Sequence, residues 1–222
     1  MFALDISEHH IRILELIKKK GSFFLYGMAE GNFGELDEIP SLLKELVAKA
    51  KPNPIQTREV ALVIPEEETF THVATITKDE AQTSQAKLLE KISGVLPYAP
   101  EEIYWDWRII EENKKADDHV DAVFVAATKK IVDTYIDLVV KAGFQPLVIE
   151  TEPNALVWGA LNPLYAPAVD EPIILASFNP PKATLIIFAN GAIRFTTSVK
   201  IIAEEGEKKD AQSKKISSPK KY

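Results

Sequence analysis

Read for hydrophobic and polar positions, the chain divides into short alternating runs broken by Gly, Pro and charged turns. "MFALDIS", "IRILELIKKK" and "FFLYGMAEGNF" each read as a strand, from their apolar and aromatic content and the Gly21-Ser22 punctuation. "IPSLLKELVAKAKP" reads as a helix. Pro40 suits its first turn, Pro52 lies past its end, and Leu42, Leu43, Leu46, Val47 and Ala50 form a stripe at helical spacing. "REVALVIP" is then a buried strand, and "TFTHVATI" another. "TKDEAQTSQAKLLEKISGVLP" is expected to be one helix, opened by a capping box of Thr77 and Glu80. "EIYWDWRII" alternates, with Ile103, Trp105, Trp107 and Ile109 on one face. "NKKADDH" is a polar hairpin turn and "VDAVFVAAT" a strand. "KKIVDTYIDLVVKAG" is a helix with Ile131, Tyr135, Leu138, Val139 and Ala142 inward and Gly143 at its stop.

"QPLVIET" is a further strand, Pro153 opens the helix "PNALVWGAL", and "NPLYAPAVDEP" is a loop. Two strands follow, Ile173–Ala176 and Thr184–Phe188, separated by a turn from Ser177 to Lys182. Asn190-Gly191 then turns into Ala192–Phe195, a strong hairpin signal. The class is α/β (α+β). The strand-helix-strand-strand-helix block over 66–143 reads as an insertion in a larger unit made of 1–65 and 144–200.

Composition narrows the function classes. The chain has 222 residues, a formal net charge of -7 and no cysteine, so disulfides, thiolate metal sites and cysteine nucleophiles are excluded. An acidic balance argues against nucleic-acid binding. No run approaches the ~18 apolar residues of a membrane-spanning helix, and the N-terminus has no basic segment leading into a long apolar run, so no secretory signal is expected. The end of the chain differs from the rest. Over 201–222 it holds six lysines and few apolar residues, and a disordered polar tail is expected.

Taken together, "ALDISEHHIRILEL", "HVATITKDEAQTSQAKLLEKISGVLPYAPEEIYWDWRII", "VFVAATKKIVDTYIDLVVKAGFQPLVIETEPNAL" and the hairpin over 173–195 resemble the PilM family of type IV pilus assembly proteins, relatives of the cell-division protein FtsA. The resemblance covers residues 1 to about 199 and rests on order and spacing more than on any one motif. It implies an actin-like, ribonuclease-H-like fold with two phosphate-contacting hairpins and an inserted small subdomain. It also implies that a second actin-like half, which follows in the family, is missing here.

A nucleotide site of that kind needs a carboxylate for a metal-bound water, glycines that let the backbone approach, and inward-pointing N–H groups. The resemblance places Asp5, Ser7 and Arg12 on the first hairpin, where Asp5 equally reads as a strand end before a polar turn. On the second hairpin Ser177 takes the aspartate's place and Asn179 the glycine's, while Pro180 and Pro181 have no N–H to donate. This hairpin is expected to keep its shape and to have lost its chemistry. Glu152 stands near the position of an attacking water, and equally serves as a carboxylate at a helix start. His9, His10, His72 and His119 have no ligand spacing, so no metal site and no catalytic residue is expected.

The resemblance, with these departures at the second hairpin, therefore points to an interaction protein and not an enzyme, with no cofactor expected and ATP with magnesium doubted. Its expected partner is the short cytoplasmic segment of a PilN-like inner-membrane protein, bound around Thr69–Val73, the Trp105 strand and Val123–Thr128. It would lie in the cytoplasm, peripheral to the inner membrane and touching the membrane only through that partner. An apolar patch near the second hairpin is expected to favour self-association. A residual nucleotide-binding ATPase, and an FtsA-like or secretion-system recruitment protein, are the rival readings.

Overall fold

Alternating exposure along the first strands sets the frame. In the computed structural model, which describes residues 1–112, 118–161 and 171–201, strands β1 (Phe2–Ser7), β2 (His10–Lys19) and β3 (Ser22–Asn32) form an antiparallel meander. Phe2, Leu4, Ile6, Ile11 and Ile13 point to one face and are buried there. Helix α1 (Ile39–Lys49) covers that face with Ile39, Leu43, Leu46 and Val47. The short β4 (Lys51–Pro52) pairs with β3, and β5 (Glu59–Ile64) pairs parallel with β1.

The chain then leaves this sheet. Strands β6 (Thr69–Thr77), β7 (Ile103–Glu112) and β8 (His119–Thr128) make a separate antiparallel sheet in the order β6-β8-β7. Two short helices, α2 (Lys78–Ala81) and α3 (Gln85–Ile92), lie between β6 and β7. Ile76, Leu88, Ile92, Val120, Ala122 and Phe124 form the core of this unit. Helix α4 (Lys129–Lys141) returns to the first sheet, where Leu138, Val139 and Ala142 join the main core. Strand β9 (Gln145–Thr151) pairs parallel with β5 and completes the six-stranded order β4-β3-β2-β1-β5-β9. Helix α5 (Glu152–Leu161) leads toward a third sheet of β10 (Ile173–Asn179), β11 (Lys182–Ala189) and β12 (Ala192–Lys200). Val157 of α5 packs there with Ile186 and Ile193.

Three local expectations change. The single helix expected from Thr77 is two. Its capping box is present, with Thr77 Oγ1 accepting from Glu80 N–H and the Glu80 carboxylate accepting from Thr77 N–H. The first helix stops after one turn, because Thr83 donates its hydroxyl back to Glu80 O at 2.7 Å and Ser84 restarts the chain in an extended conformation. The turn from Ser177 to Lys182 is shorter than expected: strand pairing runs to Asn179↔Lys182, leaving only Pro180-Pro181 outside the ladder, where neither lacks a bond it should have made. Ile109 keeps the register of Ile103, Trp105 and Trp107 by pairing with Ala122, but it is 46% exposed instead of packed, at the end of that face where a bulge follows between Ile109 and Glu111.

The strands over 173–200 pair only with each other and not with the six-stranded sheet, and α4 packs on that sheet as well as bordering β7 and β8. Most of the "NKKADDH" turn, the loop over 162–170 and the polar tail lie outside the described residues. Among the described residues no helix is long and apolar enough to cross a membrane.

Candidate functional site

The two hairpins named from sequence meet tip to tip. Arg12 reaches from β2 and donates to Asp5 Oδ2 at 3.4 Å and to the Asn179 side-chain oxygen on β10. Asn179 in turn donates to Ser7 Oγ at 3.5 Å. Asp5, Ser7, Arg12 and Asn179 are therefore brought together from chain positions far apart. Ser177 lies one pleat back on the same face of β10 as Asn179, and Phe178 between them points to solvent at 72% exposure. Burial raises the Asp5 carboxyl above its ordinary value; Arg12 opposes this and the nearby Glu152 charge adds to it.

Behind the tips lies a charged cluster of which sequence reading singles out only Glu152. Lys182 is 2% exposed and donates to Glu67 Oε2 at 2.8 Å and Glu152 Oε2 at 3.0 Å. Glu152 also accepts from Thr184 Oγ1 at 3.2 Å and from the Glu66 N–H at 3.1 Å. Its carboxylate thus sits at the start of α5 and binds groups from β11 and from the 66–68 turn. Thr196 donates to Glu66 at 2.7 Å and Ser198 to Glu67 at 3.3 Å.

The cluster perturbs the ionisation of its members. Burial pushes the Glu67 carboxyl up, but the Lys182 bond and charge, its own backbone N–H and the Ser198 bond together outweigh it and hold the group below the usual carboxylate value. Burial pushes Lys182 down, and its two carboxylates more than reverse that. Glu66 stays raised by burial, which the Thr196 bond only partly offsets. Tyr135 of α4 is pushed up to about 12 by burial and by the charges of Glu68 and Glu67. The sequence signals for this cluster are faint: a lysine just after two prolines at the head of an apolar strand, and a run of three glutamates before β6.

A second feature is a groove of about 520 Å³ between the sheets. Thr69, Thr71, Val123 and Val125 line one wall, and Ile64, Val132, Ile136 and Ile149 the other. Strand alternation explains the first wall. Val123 and Val125 pair across to Val73 and Thr71 on β6 and to Arg108 and Asp106 on β7, so one face of the sheet turns to the groove. The opposite face carries Phe124, on which Trp107 and Trp105 stack with centroids 6.0 and 6.5 Å away. The paired tryptophans belong to the core beneath α3, although their strand borders the groove. Among the described residues Asp106, Arg108 and Glu150 form no ion pair, and no three His, Cys, Asp or Glu side chains are grouped to hold a metal.

Known proteins share this architecture. The fold is similar to that of the structure of a PilM-PilN type IV pilus biogenesis complex, with TM-score 0.75 and 15% identity over 90% of this chain and 61% of that one. It is also similar to the cytoplasmic domain of EpsL, an inner-membrane component of the type II secretion system of Vibrio cholerae, with TM-score 0.59 and 10% identity over 90% and 70%. No curated protein sequence matches the chain. The match to a family of sequences is direct: the model of type IV pilus assembly protein PilM aligns with residues 3–196. That alignment spans most of the chain and establishes that the chain belongs to the PilM family of type IV pilus assembly proteins.

Proposed function

We propose that this chain is a scaffold of a type IV pilus assembly machine that binds an extended cytoplasmic segment of a PilN-like membrane protein in the groove between β8 and β9. The carrying observation is the groove itself. It is apolar, long enough to be lined by residues of two sheets and α4, and bordered by β6 and β7, both edge strands of their sheet. An edge strand offers backbone bonds to an extended peptide, and alternate pockets read its side chains. The inserted unit that begins at residue 66 supplies one wall. The scaffold would stand at the cytoplasmic face of the inner membrane, held there by its partner.

On this reading the nucleotide site is degenerate. The residues present fit a magnesium-nucleotide poorly: Arg12 is engaged by Asp5 and Asn179, Lys182 by Glu67 and Glu152, and Pro180-Pro181 offers no N–H. Asp5, with its raised carboxyl, is a weakened ligand for a metal-bound water. The outer face of the third sheet exposes Ile174, Phe178 and Phe195, and the scaffold would self-associate through it.

The test is a titration with a fluorescent peptide carrying the N-terminal cytoplasmic segment of a PilN-like protein. Saturable binding that falls at least about ten-fold in Val125→Arg, with unchanged circular dichroism, supports the groove. Equal affinity in wild type and variant removes it. Calorimetry with ATP and magnesium tests the rival ATPase reading: no heat up to millimolar nucleotide is expected, and micromolar binding overturns the degenerate-site account.

A further inference from the structure

Among the described residues Lys182 is the most completely buried charged side chain. Its partners come from two distant segments, Glu67 in the turn that leads into β6 and Glu152 at the start of α5. Glu152 then bonds Thr184, two residues along the same strand, and the backbone of Glu66. One ammonium group therefore joins the third sheet, the root of the inserted sheet and α5. Arg194 strengthens the same junction by donating to Asp121 of β8 at 2.9 Å.

The junction adjoins the groove along the chain. Ile64 and Thr69 flank the 66–68 turn, Thr151 precedes Glu152, and Ile193 precedes Arg194; all four line the groove. A small rotation of the inserted sheet about residues 65–69 would change the separation of the walls. Removing the ammonium would leave Glu67 and Glu152 facing each other in a poorly hydrated cleft, with Asp5 and Glu66 close enough to feel the Glu152 charge. Like charges without a counter-ion repel strongly there.

We propose that Lys182 is a positioning residue, a built-in counter-cation that pins the third sheet, the 66–68 turn and α5 together and so holds the groove at its binding width without metal or nucleotide. Its coupling to the groove rests on the peptide-binding reading above; the pinning itself does not.

Hydrogen exchange and peptide titration on the full chain test it together. In Lys182→Ala, exchange should quicken over residues 64–71 and 182–186 while β1 to β3 and α1 keep wild-type rates, and peptide affinity should fall at least about ten-fold. Propylammonium, which replaces the missing ammonium, should restore both, and an equal ionic strength of sodium chloride should restore neither. Val47→Ala, in the core beneath α1, is the control for plain destabilisation and should leave affinity unchanged.

If Lys182→Ala does not fold, Lys182→Met with Glu67→Gln removes both charges at once and leaves Glu152 its bonds from Thr184 and Glu66. The double variant should still exchange faster at 64–71 and bind more weakly. Wild-type exchange at 64–71 in either variant, or an affinity loss no larger than that of Val47→Ala, overturns the proposal. If wild-type protein binds no peptide, the groove reading fails, and the exchange pattern still decides the pinning.

Discussion

Asp5 shows how a single side chain is traded against its surroundings. Burial raises its carboxyl, the Arg12 guanidinium only partly compensates, and the Glu152 charge works against it. A carboxyl whose folded value lies above its unfolded value adds stability while both states are protonated. That stability disappears as pH rises through the folded value. Asp5 therefore destabilises the protein at neutral pH. Asp5→Asn should raise the melting temperature at pH 7, and the gain should vanish below the unfolded value of 3.8. Parallel melts of wild type and variant from pH 3 to pH 7 check this; a lower melting temperature for the variant at pH 7 would mean that the Arg12 contact dominates. Glu67 has the opposite sign. Its lowered carboxyl adds stability above 4.5 that is lost as pH falls through the folded value. Lys182 is the residue that pattern reading could not supply. Its partners lie 115 and 30 positions away, and neither spacing has a local period.

Elements were far more legible, because each is decided by contacts close in sequence. The alternation of Phe2, Leu4 and Ile6, the stripe on α1 and the Thr77 capping box all appear in the structure, since period and cap are local properties. The break between α2 and α3 was not legible from the stripe, as it depends on the Thr83 hydroxyl competing with the helical ladder. The inserted unit has a small core centred on Phe124, which meets both tryptophans. Phe124→Ala should remove about 3–5 kcal/mol from that unit. Tryptophan fluorescence should then unfold at lower denaturant than exchange in β1 to β3. A single coincident transition at the wild-type midpoint would show that Phe124 matters little.

At the scale of the molecule the sheets are unequally covered. α1 and α4 bury one face of the first sheet, whereas Leu16, Phe24 and Met28 on β2 and β3 are each close to half exposed. The third sheet exposes Ile174 at 71% and Phe178 at 72%. Uncovered apolar area on this scale favours association. Size-exclusion chromatography should show an apparent mass that rises with loading concentration, and Phe178→Lys should reduce that rise. A strict monomer at every loading would refute it. The actin-like arrangement followed from the family resemblance that the order and spacing of elements carry, but the cleft contacts were not legible, because they depend on how three separate sheets are set against one another.

The parallel pairing of β5 with β9 also bears on how the chain folds. The whole inserted sheet and α4 lie between these neighbours, so the loop to be closed is long if the insertion is unstructured and short once it has formed its own core. The meander of β1 to β3 is built from adjacent segments and can form early. Completion of the six-stranded sheet should then wait on a neighbour it does not pair with, with the inserted unit setting the rate at which β9 docks.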